Sequence, residues 1–255
     1  MTVDEISKCT IQLVILDSTV EPVTDARPLG SAVLFTHNDK YYLLSAAHVF
    51  SGEKIANICY LSHSSEFVSV VSNMSFYDTA NPVNYPMDIA VTDLEPIVVQ
   101  SLLQDGYRFA TMYDTFYANY IGKINSYLIY GFPASKTKRM RKEGIWRRSP
   151  FIFKTTLARK INIKNYDAKV NLFVDWHRKK LRTDKGLRCH GCKPNGLSGC
   201  GIWIHDGSDD YALHGIMIGY DRCECYLAAT KFENVTQLIR ERFDPQLPPL
   251  AVINI

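Results

Sequence analysis

Apolar residues recur along this chain in short runs broken by turn-forming residues. The runs are "TIQLVIL", "SAVLF", "KYYLLSA", "FVSVV", "DIAVTDL", "SYLIYGF", "IFKTTLA", "AKVNLFV", "GIWIH", "ALHGIMIGY" and "YLAATKF". Their length and spacing predict strands of an antiparallel barrel or sandwich, with no alternation of strand and helix of the βαβ kind. Helical periodicity is weak in "PIVVQSLLQ" and clearer in "FENVTQLIRERF", where Val235, Leu238 and Ile239 part from the charged Arg242. The pattern predicts an all-β fold closed by a C-terminal helix.

One run departs from this pattern. "LLSAAHVF", residues 43 to 50, ends a strand on His48 with Ser45, Ala46 and Ala47 before it, thinning the chain where a bulky side chain would otherwise pack. Small neighbours leave room for another group to approach the imidazole.

Composition narrows the class. A chain of 255 residues with 46% hydrophobic content has enough apolar surface for one large core or two modest ones. No stretch approaches the roughly 18 apolar residues of a membrane span, so no membrane partner is expected. Asp4, Glu5 and Lys8 interrupt the start of the chain where an export signal would need an apolar run, and a cytoplasmic setting is expected. Seven cysteines in a reducing compartment favour free thiols or metal ligands over a disulfide framework. A net charge of +3 is too small to imply nucleic-acid binding by itself.

Three contexts converge on one chemistry. His48 closes a strand, Asp88 opens one in "PMDIAV", and Ser198 sits in "NGLSGCGIW", a glycine-flanked turn. Taken singly, each is an ordinary turn or strand-end residue. Together they supply what a serine nucleophile needs at neutral pH, a base to take its proton and a carboxylate to hold that base in the right tautomer. Gly196 lets the backbone turn its N–H, with that of Ser198, toward an oxygen on which negative charge develops.

On these residues the chain resembles the trypsin-like, chymotrypsin-fold serine peptidases, of an intracellular type. The likeness runs from "GSAVLF" and "YYLLSAAHVF" through "MDIAV", "YLIYGFP" and "GLSGCGIW" to "HGIMIG" and "ATKFENVTQLI". It implies a single peptidase domain over 1–255 of two packed six-stranded antiparallel β-barrels. The N-terminal barrel would span 10–125 and carry His48 and Asp88. The C-terminal barrel would span 150–231 and carry Ser198, with a helix at 232–243. It implies an endopeptidase acting on protein or peptide substrates through His48, Asp88 and Ser198, with Gly196 and Ser198 forming the oxyanion hole and no cofactor needed for the chemistry.

The departures also speak. Leu197 stands where relatives activated by cleavage carry an Asp, so that activation route is not expected, and a regulatory protein partner is the alternative switch. Cys200 replaces a glycine and reads as a small core residue. Cys192 stands where enzymes cutting after Arg or Lys carry Asp, and the substrate pocket is expected from Cys192, Ile218, Gly219 and Leu227 to take a small or apolar residue. His37, His63, His205 and His214 lack catalytic contexts and read as surface or structural.

Two further features remain. Segment 136–148, "KTKRMRKEGIWRR", carries seven basic residues against Glu143, with Trp146 among them. It reads first as a solvated loop bridging the barrels. In the alternative, a catalytically silent binding module would use it, extended by "WHRKKLR" at 176–182, to hold a protein or nucleic acid. The C-x-x-C pair Cys189 and Cys192 and the C-x-C pair Cys223 and Cys225 have spacing suited to a structural Zn²⁺ site. The resemblance adds proximity, since secreted members join these regions by a disulfide. Four free thiols, or one disulfide, are the alternatives.

Overall fold

The computed structural model describes residues 1–16, 26–51, 57–62, 66–70, 76–78, 87–115, 126–140, 145–159, 162, 166–205 and 210–250. The chain starts with a short helix, α1 (Val3–Lys8). Thr2 and Glu5 form a reciprocal capping box at its N-terminus, each side chain accepting the other residue's backbone N–H.

Seven strands follow: β1 (Thr10–Leu16), β2 (Ala26–His37), β3 (Lys40–Ala46), β4 (Ile58–Leu61), β5 (Phe67–Ser69), β6 (Phe76–Asp78) and β7 (Ile89–Asp93). They form one antiparallel sheet in the order β5-β4-β1-β2-β3-β7-β6. Helix α2 (Pro96–Gln104) starts on a proline, whose missing N–H costs nothing in a first helical turn.

The second sheet is built from β8 (Ser126–Gly131), β11 (Phe151–Thr155), β12 (Asn171–Asp175), β13 (Gly201–His205), β14 (Tyr211–Asp221) and β15 (Tyr226–Lys231). Its six strands run antiparallel in the order β11-β8-β13-β14-β15-β12. Between β8 and β11 the chain makes a separate hairpin, β9 (Thr137–Met140) with β10 (Ile145–Arg148). Helix α3 (Phe232–Arg242) closes the fold.

The two expected antiparallel sheets and the C-terminal helix are present, and two details differ. The first sheet has seven strands among the described residues where six were expected, because the short β6 adds itself at the edge beyond β7. The second sheet begins at Ser126 and not near residue 150, since β8 lies between β11 and β13. The basic segment is therefore an excursion from the second sheet and not a bridge between barrels; its residues 141–144 lie outside the described residues.

Burial follows position in the sheets. Strand β1 is buried at six consecutive positions and β14 at eight, whereas β11 alternates, with Phe151, Phe153 and Thr155 inward. One core cluster joins residues of both sheets, from Phe35 and Tyr42 to Phe173 and Tyr226. A second lies within the second sheet around Ile129, Phe153, Trp176 and Cys200. Helix α3 buries Phe232, Val235, Leu238 and Ile239. Phe232 meets Phe35 of β2 edge to face, with ring centroids 5.4 Å apart. Each such fully buried side chain contributes on the order of 1.5–3 kcal/mol, so α3 ties the last strand back onto the first sheet. Among the described residues, no helix is long and apolar enough to cross a membrane.

Candidate active site

Strands β3 and β7 are neighbours, and Ala46 at the end of one pairs with Ile89 at the start of the other. His48 and Asp88 thus emerge at the same end of the sheet. The chain turns there through one 3-10 turn, Ala47–Val49, whose first N–H donates to the Asp88 carbonyl at 3.0 Å. The Asp88 carboxylate holds His48 at two points. Oδ1 accepts the His48 backbone N–H at 2.9 Å, and Oδ2 lies 2.6 Å from ring Nδ1. A carboxylate on Nδ1 keeps the proton on that nitrogen and leaves Nε2 with a free lone pair. The imidazole is 47% exposed, so that lone pair is within reach of an incoming group.

The serine turn is shaped by two glycines in the left-handed region, Gly196 at φ +89° and Gly199 at φ +87°. The Asn195 carbonyl accepts the Ala134 N–H at 2.8 Å, the Leu197 N–H donates to Pro194, and the Gly199 N–H donates to Met217 at 2.7 Å. In a trans peptide the carbonyl and the next N–H point oppositely, so the Gly196 N–H faces away from Ala134. Among the described residues, neither it nor the Ser198 N–H has an acceptor. Two backbone donors are thereby left without a backbone acceptor, on either side of Leu197, with Ser198 half-buried.

Ser31 on β2 fastens this turn to the first sheet. Its N–H donates to the Ser198 carbonyl at 2.8 Å, and its hydroxyl donates to the Gly196 carbonyl at 2.9 Å while accepting the Phe132 N–H at 3.0 Å. Its own carbonyl accepts the Ser45 hydroxyl at 2.7 Å. A Cβ on Gly199 would lie 2.1 Å from Ser45 Oγ, and one on Gly30 would lie 2.9 Å from both the Ser198 carbonyl oxygen and Val49 Cγ2. The turn bearing Ser198 therefore packs directly on the segment bearing His48. The small residues of "LLSAAHVF" are part of this packing: Ser45 makes room for the serine turn, while Ala46 and Ala47 are fully buried. In the sequence nothing separates Ser31 from any other serine on a strand.

Leu197 and Cys200 point inward and are fully buried in the second sheet's core, as expected of Cys200, whose thiol burial pushes well above its ordinary value. His37 pairs with Asp244 at 2.7 Å, His205 lies against Tyr211, and His214 is buried against Tyr127. His63 lies outside the described residues.

The four cysteines expected to hold zinc are not gathered into a cluster among the described residues. Cys189, Cys192, Cys223 and Cys225 are all free thiols, and among the described residues no group of three or more His, Cys, Asp or Glu could hold an ion. The physical reason is placement. Cys189 and Cys192 pack against the second core, while Cys223 faces solvent on the turn after β14.

The cavity beside the serine turn also differs from expectation. About 660 Å³ in volume, it is lined by Lys193, Pro194, Asn195, Tyr220, Asp221, Arg222 and Cys225, with the loop Trp176 to Lys180. Predicted wall residues Ile218 and Leu227 are buried in the core, and Cys192 packs against it. Gly219 is covered by the Tyr166 hydroxyl, which a Cβ there would approach to 2.5 Å. The cavity lining includes Lys193 next to Cys192 and Tyr220 next to Gly219, and it is cationic.

Described side chains of the basic segment, Lys136, Trp146 and Arg148, make contacts of their own. Trp146 packs edge to face on Phe67, Arg148 lies over Phe132 and bonds the Tyr107 hydroxyl, and Lys136 lies over Phe151. Trp176 is buried against Phe153, so "WHRKKLR" joins the cavity wall instead of continuing a surface patch.

No protein-family model matches the chain, and no curated protein matches it in sequence. Solved structures do resemble it. VesB protease of Vibrio cholerae is similar over 94% of this chain and 65% of its own, at a TM-score of 0.53 and 13% identity. A chain from a structure concerning coupled folding and binding of the Sesbania mosaic virus VPg protein is similar over 88% of this chain and 87% of its own, at a TM-score of 0.49 and 12% identity. The sheets, the C-terminal helix and the likeness to VesB define a chymotrypsin-like two-barrel fold.

Proposed function

We propose that the chain is a serine endopeptidase, with Ser198 as nucleophile, His48 as general base and then acid, and Asp88 as the orienting carboxylate. The observation that carries this reading is the two-point clasp of Asp88 on His48, at 2.9 and 2.6 Å, beside the serine turn. A single hydrogen bond would allow the imidazole to swing, whereas backbone and ring contacts together fix its plane and its tautomer.

In this mechanism His48 Nε2 takes the Ser198 hydroxyl proton as Oγ attacks the scissile carbonyl carbon. Negative charge then develops on the carbonyl oxygen, and the N–H groups of Gly196 and Ser198 are the donors for it. His48 next hands its proton to the leaving amine, and an acyl-enzyme remains on Ser198. Water, deprotonated by His48, attacks the ester, releases the acid and restores the hydroxyl. Throughout, Asp88 stays ionised and stabilises the transient imidazolium.

The test is labelling with a serine-directed fluorophosphonate. A single adduct on Ser198, absent in Ser198→Ala together with peptide cleavage, is the expected outcome. Wild-type protein that neither labels nor cleaves a broad peptide library rejects the reading.

A further inference from the structure

The cavity beside the serine turn carries five cationic side chains, Arg178, Lys179, Lys180, Lys193 and Arg222, against one carboxylate. That carboxylate, Asp221, is engaged locally, its Oδ1 accepting the N–H groups of Cys223 at 2.8 Å and Glu224 at 2.9 Å. Among the described residues, none of the five cations makes an ion pair. Surface cations commonly find a carboxylate nearby, and a concave cluster without one leaves a positive potential focused in the cleft.

One of the five is held in place. Arg178 Nε donates to the Gly191 carbonyl at 2.7 Å, and the Gly191 N–H donates back to the Arg178 carbonyl at 2.8 Å. This leaves the outer guanidinium nitrogens for a ligand, in a planar fork whose geometry matches a carboxylate. The wall runs straight into the chemistry: Lys193, Pro194 and Asn195 lead without interruption to Gly196 and Ser198. A peptide whose scissile carbonyl lay against those two N–H groups would direct its preceding side chain toward this cavity. Tyr220, 42% exposed in the cavity lining, offers an apolar face for the methylene stem of such a side chain.

From this geometry we infer that the cavity selects an acidic side chain, glutamate or aspartate, at the residue preceding the cleaved bond. The inference rests on the endopeptidase reading for which bond is cut, and on the cavity alone for what binds. It replaces the small or apolar preference expected from Cys192 and Leu227.

Two measurements test it. Peptides identical except for Glu, Gln, Leu or Lys before the cut should show kcat/KM at least about tenfold higher for Glu than for Gln, an advantage that shrinks as salt rises. Lys193→Glu/Arg222→Glu should erase that advantage and raise the rate on the Lys peptide, a gain that an unfolded variant could not show. Neither residue makes a side-chain hydrogen bond among those described. In the second measurement, Ser198→Ala binds fluorescent product peptides ending in Glu or Gln, and the Glu peptide should bind at least about tenfold tighter. Equal affinities, or tight binding of a single-stranded oligonucleotide with no discrimination between the peptides, overturn the inference. Because this arm needs no turnover, a protein that never cleaves still decides the cavity's preference, while failure of the endopeptidase reading appears separately as absent cleavage and absent labelling of Ser198.

Discussion

The Ser31 hydroxyl donates to the Gly196 carbonyl at 2.9 Å, across the boundary between the two sheets. Through this bond a residue of the first sheet sets the tilt of the peptide that follows Gly196. The same hydroxyl accepts the Phe132 N–H, so it satisfies two buried backbone groups at once. Ser31→Ala leaves both unpaired, at a cost of about 1–3 kcal/mol each at most. We expect Tm to fall and, separately, kcat to drop about tenfold or more with KM little changed, since the loosened turn misaims its N–H donors. A variant that loses stability but retains full kcat would make Ser31 a purely structural residue.

Asp88→Asn should separate holding from polarising. The amide can still accept the His48 backbone N–H, so packing and Tm should change little. At Nδ1, however, an amide N–H would favour the wrong imidazole tautomer, and kcat should fall by about 10³–10⁴. Loss smaller than tenfold at pH 7 would place the orienting group elsewhere.

How legible was all this in the sequence? Strands β1, β3 and β13 lie where their apolar runs predicted them, because each is bounded by turn residues and mostly buried. Helix α1 was missed although Thr2 and Glu5 stand at capping-box spacing, its six residues being too few to show periodicity. His48, Asp88 and Ser198 could be singled out by their flanking residues. Ser31 could not, since its role depends on a contact with residues about 165 positions away. The cavity lining was hard to read for a related reason. Ile218 and Leu227 are buried strand residues, whereas the cavity lining comes from loop residues such as Lys193 and from the exposed end of β14 at Tyr220, and the strand pattern alone does not say which loops meet there.

His214 predicts a pH dependence of stability. Burial, and then the charge of Lys231, push it from 6.5 down to about 4 in the folded chain. In the unfolded chain it takes up a proton below about pH 6.5, so between there and pH 4 the unfolded state binds more protons and gains relative stability. Stability is fully present above pH 6.5 and is lost as pH falls, by about 3 kcal/mol at pH 4 from this residue. Denaturant unfolding of His214→Gln, which has no proton to take up, should show a shallower decline over this window. Parallel curves for variant and parent would assign the acid lability to other groups.

Gly106 and Gly196 make a matched pair for the last prediction. Both adopt left-handed backbone, at φ +80° and +89°, where a side chain costs on the order of 1–2 kcal/mol. Around Gly106, just past α2, a Cβ would meet nothing within 4 Å. At Gly196 it would lie 2.5 Å from the Ala134 nitrogen and 2.7 Å from the Phe132 carbonyl oxygen, and neither backbone atom can move without disturbing β8 and the serine turn. Gly106→Ala should therefore lower stability by the backbone strain alone and leave fluorophosphonate labelling of Ser198 at the parent rate. Gly196→Ala carries the same strain and must also displace the turn, so labelling should slow by about a hundredfold or more even where the protein remains folded by circular dichroism. If both alanine variants label alike, the conformation of the serine turn is not what sets the reactivity of Ser198.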